Sequence, residues 1–412
     1  MYRSCSLRAK PTYTIVIYNI DTKPTYIIMF CKINLLVEKK EILMADFNDY
    51  LQWRGDLTLD QDKFNEVDIL ILARFSYLPF NKIEMKQVET IEDISDKMEN
   101  FKEKDFGYHG DREMISLLGG SRRFRKMEVT DFVEKNDLEN QEQFSAVTIH
   151  MPNDIMFISF DGTNNSIVGW KEDFNMSFME NVPSQLRGKE YLKQIAAKYP
   201  NKKMYVGGHS KGGNVAVYSA IYNNKEVQDR IIKIINCDGP GFDRNVVDSP
   251  EYKRIVDKVF TFIPQDSVIG RLMEHEEKYD VIKSTAKGIY QHDIHSWQVT
   301  RNRIIRVDCP TKHSEFVNES LHQYLKDTTP EQREFFVGAV YDIIQSTNVD
   351  TFDEFHKAGL KKVPKIIKSY KKLSPEERKL MTAMFAEFFK SAWEIIKKGK
   401  KTQDSMVEAM AE

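Results

Sequence analysis

The chain has 412 residues, 60 of them Lys or Arg and 62 Asp or Glu, for a formal charge of −2 at pH 7. That balance leaves no basic field to follow a nucleic-acid backbone and excludes a general nucleic-acid binder. At 41% hydrophobic and 30% charged, the composition is that of a folded globular protein, long enough for one large domain of roughly 250 residues and an accessory segment.

The first 43 residues mix β-branched residues with Arg and Lys in no sustained period, whereas Met44-Ala45-Asp46 opens a stretch with clear helix and turn signals. Met44 is therefore expected to be the natural start, with 1–43 a non-native or disordered extension, 44–325 the main domain and 326–412 a helical C-terminal segment. The apolar run Tyr26 to Cys31 is cut by Lys32, well short of the ~20 residues that span a bilayer, and no small-residue cleavage site follows it. Cys5, Cys31, Cys237 and Cys309 are scattered without paired spacing, as expected of reduced thiols in a cytoplasmic protein.

From Phe64 to Phe75 the apolar positions Val67, Ile69, Leu70, Ile71, Leu72 and Phe75 crowd a short window that opens with the polar Asn65 and Asp68, which predicts a buried helix over 64–75. A second helix is predicted over 111–118, ended by Gly119-Gly120, and together these form a helical N-terminal cap. Strands are predicted at 144–150 and 155–160, joined as a hairpin through Pro152-Asn153-Asp154. A helix from Ser184 to Tyr199, strand 203–206, helix 212–222 and strands 231–237 and 259–263 follow. This alternation predicts an α/β class with a mostly parallel central sheet flanked by helices. Near the end, Thr329-Pro330-Glu331-Gln332 and Ser374-Pro375-Glu376-Glu377 each carry a capping hydroxyl, Pro at the first helical position and Gln or Glu at the third. From Lys361 to Lys401, 13 basic residues face four acidic ones, while Met381, Met384, Phe385, Phe388, Phe389, Trp393 and Ile396 recur at helical spacing. Such a helix suits docking on its own domain or a second subunit, and alternatively an anionic membrane surface.

The chemistry concentrates in Met204-Tyr205-Val206-Gly207-Gly208-His209-Ser210-Lys211-Gly212-Gly213-Asn214, a predicted strand, then Gly-x-Ser-x-Gly, then a predicted helix. This is the nucleophile-elbow pattern, in which Gly208 and Gly212 leave room around a strained turn and Ser210 is the nucleophile. A serine hydroxyl needs a base and an orienting carboxylate, which follow in the order Ser, acid, His on this fold. Asp266 stands just past the strand 259–263 and is the leading acid, with Asp238 and Asp243 as rivals. His292 and His295 share one short segment downstream, and only one of them can be the base. His209, inside the turn, is read as packing or support. The backbone N–H of Lys211 is one oxyanion donor, and Thr163, in the loop Phe160-Asp161-Gly162-Thr163-Asn164-Asn165, offers an N–H and a hydroxyl as the second.

These residues resemble the lipase-like α/β-hydrolases, and specifically the bacterial Mbeg-like family of unknown function. The resemblance covers Met44 to Val299. It rests on Tyr50-Leu51-Gln52-Trp53-Arg54-Gly55-Asp56-Leu57, the Phe64-Asn65-Glu66-Val67-Asp68 helix start, Phe160-Asp161-Gly162-Thr163 with Trp170 and Asp173, the elbow, and Gln291-His292-Asp293 with Ser296-Trp297. The Gly-Thr followed by Trp and Asp is similar to the oxyanion segment of class-three lipases and implies Thr163, and the Gln-His-Asp segment implies His292 as the base. Where true lipases usually have an apolar residue after the nucleophile, this chain has Lys211, expected at the mouth as a contact for an anionic head group or as an idle exposed side chain. The segment 269–289 has the length of a lid, with Leu272, Met273, Val281 and Ile282 as its apolar contacts.

The expectation is a serine hydrolase of lipase or esterase type that cleaves a small ester, thioester or lipid substrate through an acyl-enzyme. It calls for no metal or organic cofactor. A catalytically silent binding or scaffold protein, or a peptidase or acyltransferase with the same residues, are the alternatives.

Overall fold

The computed structural model describes residues 45–137, 139–163, 167–345, 363–375, 377–379 and 381–382. Met44 and the 43 residues before it lie outside them, as do Asn164, Asn165 and every apolar tail position named above except Met381.

The strands are β1 (Val88–Thr90), β2 (Glu128–Asp137), β3 (Glu142–Met151), β4 (Ile155–Phe160), β5 (Lys203–His209), β6 (Ile231–Cys237), β7 (Val259–Pro264), β8 (Tyr279–Ile282), β9 (Val299–Thr300), β10 (Arg303–Ile304) and β11 (Arg306–Val307). A nine-stranded sheet runs in the order β1-β2-β3-β4-β5-β6-β7-β8-β11, and β9 and β10 pair separately. From β4 to β8 every ladder is parallel. The ladders that join β1, β2, β3 and β4, and the one between β8 and β11, are antiparallel. The sheet is therefore mixed rather than mostly parallel. The expected hairpin is β3–β4, and its turn residues Asn153 and Asp154 both take positive φ, at 63° and 54°, a conformation for which Asn and Asp pay the least among residues with side chains.

The helices are α1 (Phe47–Arg54), α2 (Glu66–Phe75), α3 (Ile91–Met98), α4 (Asp111–Gly120), α5 (Ile167–Asn175), α6 (Pro183–Lys198), α7 (Lys211–Ile221), the short α8 (Lys225–Arg230), α9 (Arg244–Val247) and α10 (Pro250–Lys253), then α11 (Lys312–Asp327), α12 (Pro330–Gln345) and α13 (Val363–Lys372). Side chains alternate across the strands, so each face of the sheet builds its own core. On one face α1 to α4 pack on Val147, Ile149, Phe157 and Ile235. On the other α6 and α7 pack on Met156, Ile158, Phe160, Met204 and Val206. Each such side chain contributes roughly 1.5–3 kcal/mol when fully buried.

The N-terminal layer is tied down by polar contacts as well. Asn65 caps α2 reciprocally with Asp68, and the buried Asp68 carboxylate also accepts from Tyr50 at 2.8 Å and from Arg123 Nε at 2.7 Å. At the C-terminal end, Thr329 with Gln332 and Ser374 with Glu377 form the anticipated capping boxes, and α12 packs on both α5 and α13. The segment expected as a lid contributes β8 to the sheet instead: Val281 and Ile282 are buried there, since the parallel ladder with β7 satisfies their backbone.

Candidate active site

Strand β5 delivers Ser210 into a turn with φ 57° and ψ −131°, and α7 starts at Lys211. A left-handed φ on a residue with a side chain is strained and persists only where the surroundings enforce it. Here they do: a Cβ on Gly208 would lie 2.5 Å from the Phe160 carbonyl oxygen, and one on Gly212 only 2.2 Å from the same atom. The glycines thus let the elbow press against the end of β4.

Ser210 Oγ lies 2.9 Å from His292 Nε2, and His292 Nδ1 lies 2.6 Å from Asp238 Oδ2. A carboxylate facing Nδ1 only accepts, so Nδ1 carries the proton and the Nε2 lone pair receives the serine hydroxyl. Asp238 reaches this position through the parallel ladder, in which His209 pairs with Cys237; the residues one step past the two strand ends are Ser210 and Asp238. The Asp238 carboxylate is 1% exposed and its other oxygen accepts from Ser267 Oγ at 2.5 Å and the Gly270 N–H at 3.1 Å.

Asp266, the leading acid from the sequence, is not at the imidazole. Its carboxylate accepts from the Gly288 N–H at 3.2 Å and Gln291 Nε2 at 3.1 Å, and from the Thr311 hydroxyl. It clasps the turn that carries His292 to the start of α11. The strand after β6 is one ladder too far from Ser210, which is why Asp238, held as a rival, takes the place. Asp243 caps α9 through the Asn245 N–H. His295 is also elsewhere, with Nε2 2.8 Å from Asp111 Oδ1.

On the oxyanion side, Thr163 Oγ1 donates to Asp173, 2.7 and 2.6 Å from its two oxygens. A hydroxyl has one proton, so of the two donors expected of Thr163 the hydroxyl is spent on Asp173 and the backbone N–H is the one left. Burial pushes the Asp173 carboxyl up to about 6, against the pull of the Lys211 charge and the Thr163 hydroxyl. Lys211 does not stand at the mouth. Its side chain is 1% exposed and its ammonium donates to Gln143 O at 2.6 Å, Gln143 Oε1 at 2.8 Å and Glu172 Oε2 at 2.8 Å. A buried ammonium is tolerable only with such partners, so the expected head-group contact is withdrawn.

A family model described as Mbeg1-like matches residues 118–342. The chain belongs to the Mbeg1-like family. No curated protein sequence matches it. Among solved structures, it is similar to the Rhizomucor miehei lipase in its propeptide complex, at 14% identity and a TM-score of 0.35 over 60% of this chain and 74% of that one. Lipase II from Rhizopus niveus gives 12% and 0.33 over 58% and 84%, and the Lip2 lipase from Yarrowia lipolytica gives 11% and 0.30 over 55% and 80%. The Mbeg1-like span contains Ser210, Asp238 and His292 together with Thr163 and Asp173.

Two supports of this Mbeg1-like site carry no signal in a local motif. His209 is buried; its Nε2 lies 2.7 Å from the His292 carbonyl oxygen and its Nδ1 2.9 Å from the Tyr77 hydroxyl. Burial holds this imidazole neutral, well below its usual range, with the neighbouring His292 acting in the same direction. The carbonyl only accepts, so Nε2 carries the proton. Tyr77 in turn stacks under Arg74, whose guanidinium is 4.1 Å from the centroids of both Tyr77 and Tyr108. Gly208, Gly212 and His209 were legible from the elbow; Tyr77 and Arg74 come from the N-terminal layer, and only the fold brings them in. Among the described residues, no His, Cys, Asp and Glu side chains cluster as metal ligands.

Proposed function

We propose that the protein is a serine hydrolase that cleaves a carboxylic ester or thioester. The observation that carries this reading is the unbroken chain Ser210 Oγ, His292 Nε2, His292 Nδ1, Asp238 Oδ2 at 2.9 and 2.6 Å, at an elbow whose strained turn sets the serine at the N-terminus of α7. Ser210 attacks the carbonyl carbon while His292 takes its proton, and Asp238 stabilises the imidazolium that forms. The oxyanion is received by the N–H groups of Lys211 and Thr163, aided by the positive end of α7. The imidazolium then gives its proton to the leaving alcohol or thiol. Water, deprotonated by the same imidazole, releases the acid and restores Ser210.

A reducing, cytoplasmic setting belongs to the same reading, supported by the free, buried thiol of Cys237; no helix among the described residues is long and apolar enough to cross a membrane. Hydrolysis of a short-chain nitrophenyl ester tests the proposal. The full chain is expected to turn the ester over and Ser210→Ala and His292→Ala to lose this activity; equal rates in all three folded proteins would refute it.

A further inference from the structure

Lys211, the residue after the nucleophile, spends its side chain in the interior. Its partner Glu172, 0% exposed, accepts at Oε2 from the Lys211 ammonium and the Gln143 N–H and at Oε1 from the Ser184 N–H. Glu172 immediately precedes Asp173, which holds the Thr163 hydroxyl. One buried ion pair therefore fastens the first residue of α7 to α5, whose Asp173 holds the Thr163 hydroxyl.

We propose that the Lys211–Glu172 pair is a positioning device of the oxyanion hole, setting the distance between its two donors, the Lys211 and Thr163 N–H groups. The inference rests on the hydrolase reading. It accounts for a lysine, with its desolvation penalty, in a place where an apolar side chain would fill the same space. Both donors belong to backbone, so neither can adjust by a rotamer change, and their spacing depends on how the two helices are held. The pair has an electrostatic side as well. Asp173 faces the Lys211 ammonium, the Glu172 carboxylate, the Thr163 hydroxyl and the His292 imidazole, while Lys171 and Asp342 stand where α12 packs on α5. Lys211 favours the ionised Asp173 that accepts from Thr163, and Glu172 opposes it.

Three proteins test this: the full chain, Lys211→Met and the double variant Lys211→Met/Glu172→Gln, each assayed for nitrophenyl ester hydrolysis across pH and for thermal stability. Lys211→Met is expected to lose stability, to lower kcat on the order of 10- to 100-fold with KM little changed, and to move the acid limb of kcat to higher pH. The double variant leaves no unpaired charge, so its stability and acid limb recover while its kcat stays low. If kcat returns with stability in the double variant, the pair is only structural and the inference is overturned. An unchanged kcat in a folded Lys211→Met overturns it as well. A wild-type protein without ester hydrolysis removes the hydrolase reading and this inference with it, whereas an active wild type with an active double variant removes the inference alone.

Discussion

Ser210 and Asp238 are both held at positive φ, 57° and 52°, each one residue past the end of a parallel strand. Strain of this kind, of order 1–3 kcal/mol per residue, aims the two side chains at the same imidazole. Asp161, at the end of β4, stores free energy in another form. Its Oδ1 is buried without a hydrogen-bond partner, and burial raises its carboxyl from 3.8 to about 8, against the charges of Lys211 and Arg74. Between those values the folded chain keeps a proton that the unfolded chain has released, so stability falls as pH rises from about 4 to about 8. Asp161→Asn is therefore expected to raise the melting temperature near neutral pH and to flatten its decline over that window. Melting curves at about pH 5 and pH 8 check this; a wild-type decline that survives in Asp161→Asn would locate the titrating group elsewhere.

At the scale of elements, the triad is set by the register of neighbouring ladders, and this explains what could be read in advance. The elbow was legible because its signal is local: Gly208, Ser210 and Gly212 at fixed spacing between an apolar run and a helix. The acid was not, because the choice among Asp238, Asp243 and Asp266 depends on which strand lies beside β5. The one available signal was order, since Asp238 directly follows the first strand after the nucleophile. Strand β2 escaped for a different reason: Glu128, Asp131, Glu134 and Lys135 interrupt its apolar pattern, and pairing with β3 overrides that composition. Helix α4 is joined to the histidine segment by a buried network in which Asp111 accepts from Arg74 at 2.8 and 2.9 Å and faces His295 at 2.8 Å. Burial pushes the Asp111 carboxyl up, but Arg74 and His295 outweigh it and hold it below the ordinary value. The stability this gives is complete above the ordinary carboxylate range and is lost as pH falls through the lowered value. Asp111→Asn, which strands the Arg74 charge, should destabilise the fold by about 3–5 kcal/mol at neutral pH; urea denaturation measures this, and a change under about 1 kcal/mol would contradict the network's importance.

For the molecule as a whole, the helical layers divide the work. The layer of α6 and α7 carries the elbow, while the N-terminal layer of α1 to α4 reaches through Tyr77 and Arg74 to hold His209 beneath His292. The α/β class and the N-terminal helical cap were legible from periodicity and from the order of strands and helices. The antiparallel strands at both edges were not, because they are short or charged and owe their form to the strands beside them. In the proposed hydrolase this scaffold activates Ser210 through His292 and Asp238, with Asp266 only clasping the loop. Labelling by a fluorophosphonate probe tests it most directly, with the rate compared among the full chain, Ser210→Ala, Asp238→Asn and Asp266→Asn. Ser210→Ala is expected to show no labelling, Asp238→Asn a loss on the order of 10³- to 10⁴-fold, and Asp266→Asn a far smaller loss. Rapid labelling of Asp238→Asn together with a silent, folded Asp266→Asn would contradict it.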